Sequence, residues 1–148
     1  MKRILVCGGR DYGRVIPGKT FEYPRRIGEK KRGCEVLGKL LVEHGAFVLI
    51  HGDAEGADKM AADWAAGQRG FPRPLAFPAL WYDLDVPGAV IKRNRRGQLY
   101  NVIAGPQRNQ RMLDEGKPDL IVAFPGGTGT KDMVDRGRRA GIPIQEVK

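Results

Sequence analysis

The chain has 148 residues, 41% of them hydrophobic, which is enough for one buried core and too few for two ordinary domains. Its 26 lysines and arginines against 17 aspartates and glutamates leave a net charge of +9, which attracts anions without separating nucleic acid from a small phosphate ester. No apolar run approaches the roughly 20 residues that cross a bilayer, Met1-Lys2-Arg3 leads into Ile4-Leu5-Val6 with no signal-peptide pattern, and Cys7 and Cys34 are too few for a disulfide framework and lack metal spacing. The expectation is a cytoplasmic protein without a membrane partner, metal or cofactor, its two cysteines serving as packing residues.

In chain order, short runs rich in Val, Ile, Leu and Phe predict five strands at 3–7, 47–51, 75–77, 120–124 and 144–147. Between them, Val36, Leu37, Leu40 and Leu41 predict a helix over 34–44, and Met60, Ala61, Trp64 and Ala65 one over 57–68. Further helices are expected over 107–115 and 129–140, the second ended by Gly141 with Pro143 beyond it. Strands alternating with helices imply parallel β-α-β units, hence one α/β domain over 1–148 with a mostly parallel five-stranded sheet flanked by helices. Two stretches break the alternation, 11–33 and 81–106, and both are read as long basic loops, the second carrying Lys92-Arg93-Asn94-Arg95-Arg96.

Ligands of parallel sheets bind beyond the carboxyl ends of the strands, where helix N-termini point backbone N–H groups outward. Three such ends here are rich in glycine: Gly8-Gly9-Arg10, His51-Gly52 followed by Asp53-Ala54-Glu55-Gly56, and Pro125-Gly126-Gly127-Thr128-Gly129-Thr130. Glycine allows a phosphate close to the backbone, and Thr128 and Thr130 add hydroxyl donors. One glycine pair after a strand is common for steric reasons alone, but three converging on one sheet edge are less easily explained so. Arg108 and Asn109, read at the start of a helix, add a guanidinium and an amide, although a solvated first turn is the plainer reading. His51 at the site edge is more often a structural cap than a catalyst.

Gly13-Arg14-Val15-Ile16-Pro17-Gly18-Lys19-Thr20 matches the P-loop pattern letter for letter. A working P-loop joins a strand directly to a helix, whereas here the first strand is expected to end near Cys7, and Pro24, Gly28 and Gly33 argue against a helix after Thr20. The pattern is read as a decoy within a mobile basic loop, with a lid over the ligand as its expected role.

Gly8-Gly9-Arg10-Asp11-Tyr12, His51-Gly52 with Gly56-Ala57-Asp58, Trp64-Ala65, Gly105-Pro106 with Arg108-Asn109-Gln110 and Met112, and Ala123-Phe124-Pro125-Gly126-Gly127 with Gly129-Thr130 and Ala140-Gly141-Ile142-Pro143 form a recognisable series. It resembles the YspA-related group of the SLOG superfamily, the Rossmann-like group that contains the DprA and Lonely-Guy proteins. The resemblance spans most of the chain, with the two long loops outside it. It implies a nucleotide or nucleotide-derived ligand over Gly126–Thr130, with Gly8, Gly9, Arg10 and Arg108 around it.

Relatives in that superfamily divide between phosphoribohydrolases and sensors that only bind nucleotide signals, and the fold does not choose between them. Cleaving an N-glycosidic bond requires a carboxylate near the anomeric carbon. The Lonely-Guy enzymes carry a Glu three residues after the Thr of Pro-Gly-Gly-x-Gly-Thr, and Met133 stands at that position here. Asp132, one residue earlier, is the candidate catalytic carboxylate, against the plainer reading that it complements the helix dipole. Asp53 and Glu55 sit where an anion would be repelled unless they face a sugar, a base or solvent.

The leading expectation is therefore a binder, sensing or sequestering a nucleotide-like signal such as an ADP-ribose derivative. Its site residues are Gly8, Gly9, Arg10, His51, Gly52, Arg108, Asn109, Pro125, Gly126, Gly127, Thr128, Gly129 and Thr130. The alternatives are a nucleoside 5′-monophosphate phosphoribohydrolase using Asp132, and a nucleic-acid-binding protein using the basic loops, with Tyr23 and Tyr100 as stacking groups. Trp64 is expected in the core and Trp81 at the ligand pocket or a subunit contact. A homodimer or higher homo-oligomer is expected by analogy with related domains.

Overall fold

Apolar side chains alternate along each central strand because both faces of the sheet are covered. Ile4, Val6, Leu49 and Val122 enter one core with Val36, Leu37, Leu40, Ala57, Met60 and Phe47. Leu5, Cys7, Ile50, Ile121 and Ala123 enter a second with Met112, Leu113, Met133 and Val134. The computed structural model describes all 148 residues.

The five expected strands form one parallel sheet: β1 (Arg3–Cys7), β2 (Val48–His51), β3 (Leu75–Ala76), then β6 (Leu120–Ala123) and β7 (Ile144–Glu146), in the order β3-β2-β1-β6-β7. Helices α1 (Tyr23–His44) and α2 (Ala57–Ala66) contribute to the first core, and α3 (Ala104–Asp114) and α4 (Thr128–Arg139) to the second. The chain winds from β1 outward through β2 to β3, returns to the other side of β1 with β6, and continues to β7. The direction of winding reverses between β1 and β6, the position where doubly wound sheets open a crevice for ligands. The molecule is an α/β Rossmann-like domain, and no helix in it is long and apolar enough to cross a membrane.

The two long loops expected from sequence are largely structured. A 3-10 turn at Thr20–Glu22 leads into α1, which begins at Tyr23 rather than 34 and runs for 22 residues. Pro24 lies in its first turn, where the missing N–H has no partner to lose. Arg26 pairs with Glu29 at 2.9 Å and lies near Glu22 at 3.8 Å, tying the added turns together. Gly33 is buried against Met60, where a larger side chain would collide, so this glycine fits α1 onto α2 rather than ending the helix.

The stretch 81–106 holds an antiparallel hairpin, β4 (Ile91–Arg93) with β5 (Leu99–Asn101), outside the main sheet. Its turn is closed by Asn94, whose Oδ1 accepts the N–H groups of Arg96 and Gln98, both at 2.9 Å. Its base is fixed by Asn101, which is only 1% exposed. Asn101 Oδ1 accepts from Val90 N at 3.0 Å and Ile103 N at 3.2 Å, its Nδ2 donates to Gln107 Oε1 at 2.7 Å, and its N–H donates to the Trp81 carbonyl at 2.7 Å. One buried amide thus binds the hairpin to α3 and to the segment that presents Trp81.

Candidate functional site

The sheet edge expected from the three glycine turns carries a cavity of about 510 Å³. Gly8, Gly9, Arg10, Arg108, Asn109, Gly127, Thr128, Gly129, Thr130 and Asp132 line it. So do Trp81, expected at the pocket or a subunit contact, and Asp58, Val102, Gly105 and Met133, which were not among the expected site residues. Gly52 borders an adjoining cleft of about 280 Å³ that shares Arg10, Ala54, Trp81 and Arg108 with the cavity. Pro125 and Gly126 are exposed and do not line the cavity, and Gly126 passes too close to Gly9 and Thr130 to carry a side chain.

The three turns differ in what their backbone groups have left to offer. At the end of β1 the Gly9 N–H donates to the Pro125 carbonyl at 2.9 Å, and the Gly9 carbonyl accepts from Tyr12 N at 3.2 Å and Ala57 N at 3.1 Å. One amide at the N-terminus of α2, that of Ala57, is therefore taken by the β1 turn. Gly56, just before it, has φ of 77° and packs against the backbone of Gly9 and Arg10. At α4 the first bond of the helix is Lys131 N to Gly127 O at 3.1 Å, and the N–H groups of Thr128, Gly129 and Thr130 have no backbone acceptor. These residues line the cavity, so their amides and the positive end of the α4 dipole are available to a ligand.

Arg108 and Asn109 lie in the second turn of α3, because that helix begins at Ala104 rather than 107. The Arg108 guanidinium donates to the carbonyl of Gly52, and its Nε donates to Asn109 Oδ1 at 3.0 Å. Burial holds Arg108 below the usual guanidinium range, with the charge of Asp58 opposing that shift. Asn109, 5% exposed, donates through Nδ2 to Gly129 O at 3.2 Å and to Asp132 Oδ2 at 3.0 Å, so it sets the position of the first turn of α4. Asp132 Oδ2 also accepts from Arg136 Nε at 2.8 Å. Met133, in the place of the Lonely-Guy glutamate, is fully buried in the core behind the cavity.

His51 does not line the cavity: its Nδ1 accepts the Asp53 N–H at 3.0 Å, closing the turn after β2. Burial lowers its pKa, which favours the neutral ring that this acceptance requires. Asp53 and Glu55 do not line the cavity; both border the adjoining cleft, and Glu55 lies 3.8 Å from Arg14.

Besides Asp132, the carboxylate that lines the cavity is Asp58, in the first turn of α2 and 7% exposed. Its Oδ2 accepts from Gly52 N at 3.0 Å and from Ala54 N at 3.3 Å, shaping the turn after β2. Burial pushes its pKa up to about 6, against the opposing pull of those two N–H groups and of Arg108. The signal in the sequence was an acidic residue two positions after the glycine that admits α2, but first-turn carboxylates are so common that it did not stand out.

Trp81 forms another wall, and the Arg10 guanidinium carbon lies 6.0 Å from its ring centroid. Trp64 is in the core as expected, with its ring 6.1 Å from Phe47 and 5.4 Å from Phe71. The P-loop pattern contributes nothing to the cavity lining. A helix does follow it, contrary to the sequence reading, but β1 ends at Cys7, and Gly13 is held beside α1 by a bond from its N–H to Glu29 Oε1 at 3.2 Å.

The glycine-rich turns, the arginine in α3 and the open N-terminus of α4 can be set against known proteins. The family described as "YAcAr: YspA, cpYpsA-related SLOG family" matches residues 2–83, a span that takes in the turns after β1 and β2, Asp58, Trp81 and also the 11–33 stretch left out of the resemblance. The "Gene 61 protein" of Mycobacterium phage D29 is 30% identical over 149 residues, covering 97% of this chain and 94% of that protein, so the similarity continues through α3 and the turn at α4. No solved structure shows significant similarity. On a match over more than half its length, the chain belongs to the YspA, cpYpsA-related SLOG family.

Proposed function

We propose that the chain binds a small, phosphate-bearing nucleotide or nucleotide derivative, with the phosphate on the N-terminus of α4 and the planar part of the ligand against Trp81. The observation that carries this reading is the contrast between the turns: the amides of Gly9 and Ala57 are spent on backbone carbonyls, whereas those of Thr128, Gly129 and Thr130 have no backbone acceptor beside the cavity. The hydroxyls of Thr128 and Thr130 add donors to the same wall, and Trp81 with Arg10 supplies a flat, cationic face. Charged side chains along the cavity are balanced, Arg10 and Arg108 against Asp58 and Asp132, so the α4 dipole supplies the net attraction. That balance suits a ligand with a single anionic end better than a polyanion.

The test is incubation of the protein with ribonucleoside monophosphates, NAD and ADP-ribose, followed by filtration and mass spectrometry of both fractions. Retention of an intact compound, lost in Thr128→Glu, is the expected result. A glutamate in the first turn of α4 suits the helix dipole, so the variant should fold while its charge opposes a bound phosphate. Absence of retention for every compound at near-millimolar concentration would end the proposal.

A hydrolytic reading has one observation in its favour, the presence of Asp132 in the cavity lining. Its Oδ2 is occupied by Asn109 and Arg136, which favours a binding site over a poised catalyst. Free base together with ribose phosphate in the filtrate, abolished by Asp132→Asn, would reverse that preference.

A further inference from the structure

Asp58 presents a demand that the phosphate contacts do not meet. One carboxylate oxygen, Oδ2, takes both backbone N–H bonds, and Oδ1 takes none. Oδ1 is not sealed into the protein, since the side-chain atom left buried without a partner is Arg26 Nε. The residue borders the main cavity and not the adjoining cleft, so its small exposure opens there. Around it the cavity offers mainly donors: the first-turn amides of α4, the threonine hydroxyls, Arg10 and Arg108. Asp58 Oδ1 is an acceptor held in place at its other end, and a phosphate cannot satisfy it, because two anions would meet with no proton between them.

We infer that Asp58 is a specificity-determining residue that accepts a hydrogen bond from a sugar hydroxyl of the ligand, so that the site selects a ribosyl phosphate over its deoxy counterpart and over bare phosphate. The inference rests on the nucleotide reading above and specifies which chemical group accompanies the phosphate. A hydroxyl suits the position because it is a neutral donor, which gives the carboxylate a partner without bringing a second charge. A ligand lacking the hydroxyl leaves the carboxylate oxygen covered and without a donor, and the resulting penalty makes sites of this kind discriminating. Arg108 assists from the far side. Its bond to Gly52 O holds the turn whose N–H groups fix Asp58 Oδ2.

The experiment measures dissociation constants of the wild-type protein and of Asp58→Asn for AMP, its 2′-deoxy and 3′-deoxy forms, ribose 5-phosphate and inorganic phosphate. The wild-type protein should bind AMP about 30-fold more tightly than at least one of the deoxy forms, and ribose 5-phosphate more tightly than phosphate. Asp58→Asn keeps an oxygen for Gly52 and Ala54, and in it the preference should shrink to about threefold or less. Equal binding of AMP and both deoxy forms by the wild-type protein overturns the role of Asp58 and leaves the phosphate site standing. A preference that survives unchanged in Asp58→Asn also overturns it. Failure of all five probes to bind overturns the inference, and the nucleotide reading beneath it falls as well if NAD and ADP-ribose are also not retained. The wild-type comparison requires no variant to fold.

Discussion

Arginines in the cavity and arginines on the β4–β5 hairpin work under different constraints. Arg108 is half-buried, bonded to the Gly52 carbonyl and to Asn109, and faces Asp58. Lys92, Arg93, Arg95 and Arg96 stand exposed on a ribbon separate from the main sheet, and none takes part in an ion pair. The cavity is close to neutral in its side chains, and the hairpin is strongly positive. The net charge of +9 therefore describes the outer surface rather than the site, and charge balance inside the cavity is what shapes its selectivity.

The largest expected difference between the two regions comes from one substitution made in each. Gly56 and Gly97 both have positive φ, 77° and 79°. A Cβ on Gly56 would run into the Gly9 and Arg10 backbone, whereas a Cβ on Gly97 would meet nothing within 4 Å. Gly97→Ala should cost about 1 kcal/mol, the price of φ > 0 for an L-residue. Gly56→Ala should cost 3 kcal/mol or more, on the order of a disrupted core, because strain is joined by displacement of the β1 turn. Urea unfolding of both variants checks this, and equal losses would mean that the hairpin turn is as tightly built into the fold as the site.

The same contrast explains what the sequence made legible. The five sheet strands could be read because each is an apolar run between turn residues, and the sheet edge followed from glycine clusters at three strand ends. Helix α1 was cut short because Pro24 and two glycines look like breakers, whereas Pro24 occupies the first turn and Gly33 packs inside the helix against Met60. The hairpin went unseen because its strands are three residues long and Ile91–Arg93 is exposed throughout, so no alternation of buried and exposed positions marks it. At the site, the sequence indicated which turns converge but not which amides are already spent. That depends on the pairing of Gly9 with Pro125 and Ala57, residues far apart in the chain. Asp58 was missed for a similar reason, since its burial comes from tertiary packing.

A smaller effect tests the electrostatic side of the comparison through stability. Asp58 has its folded pKa raised from 3.8 to about 6, so the folded state holds a proton that the unfolded state has released across that interval. Stability contributed by this group is present below about pH 4 and is lost as pH rises to about 6, a change on the order of 3 kcal/mol. His51 acts with the opposite sign: its lowered folded pKa makes stability rise with pH as the unfolded ring gives up its proton. The difference between wild type and Asp58→Asn isolates the aspartate, because His51 is common to both. Chemical denaturation at pH 4, 5, 6 and 7 should show the variant gaining on the wild type as pH rises, and parallel curves would place Asp58 in water rather than in a dry wall of the cavity.

The smallest expected effect on stability belongs to the hairpin charges. Arg95→Gln with Arg96→Gln removes two exposed cations that have no ion-pair partner, so the unfolding free energy should move by no more than about 0.5 kcal/mol. Because neither residue lines the cavity, binding of a nucleotide there should change by less than about twofold at 0.15 M salt, where charges more than a Debye length apart are screened. The informative measurement is the salt dependence of binding to a random double-stranded DNA fragment. If the ribbon contacts phosphates, neutralising both arginines should lower the slope of log affinity against log salt by about two. An unchanged slope would leave the ribbon as a solvated face and remove nucleic acid from the partners this hairpin supports. A double variant that instead weakened the small ligand would join the two regions, and the division between a balanced cavity and a cationic exterior would have to be given up.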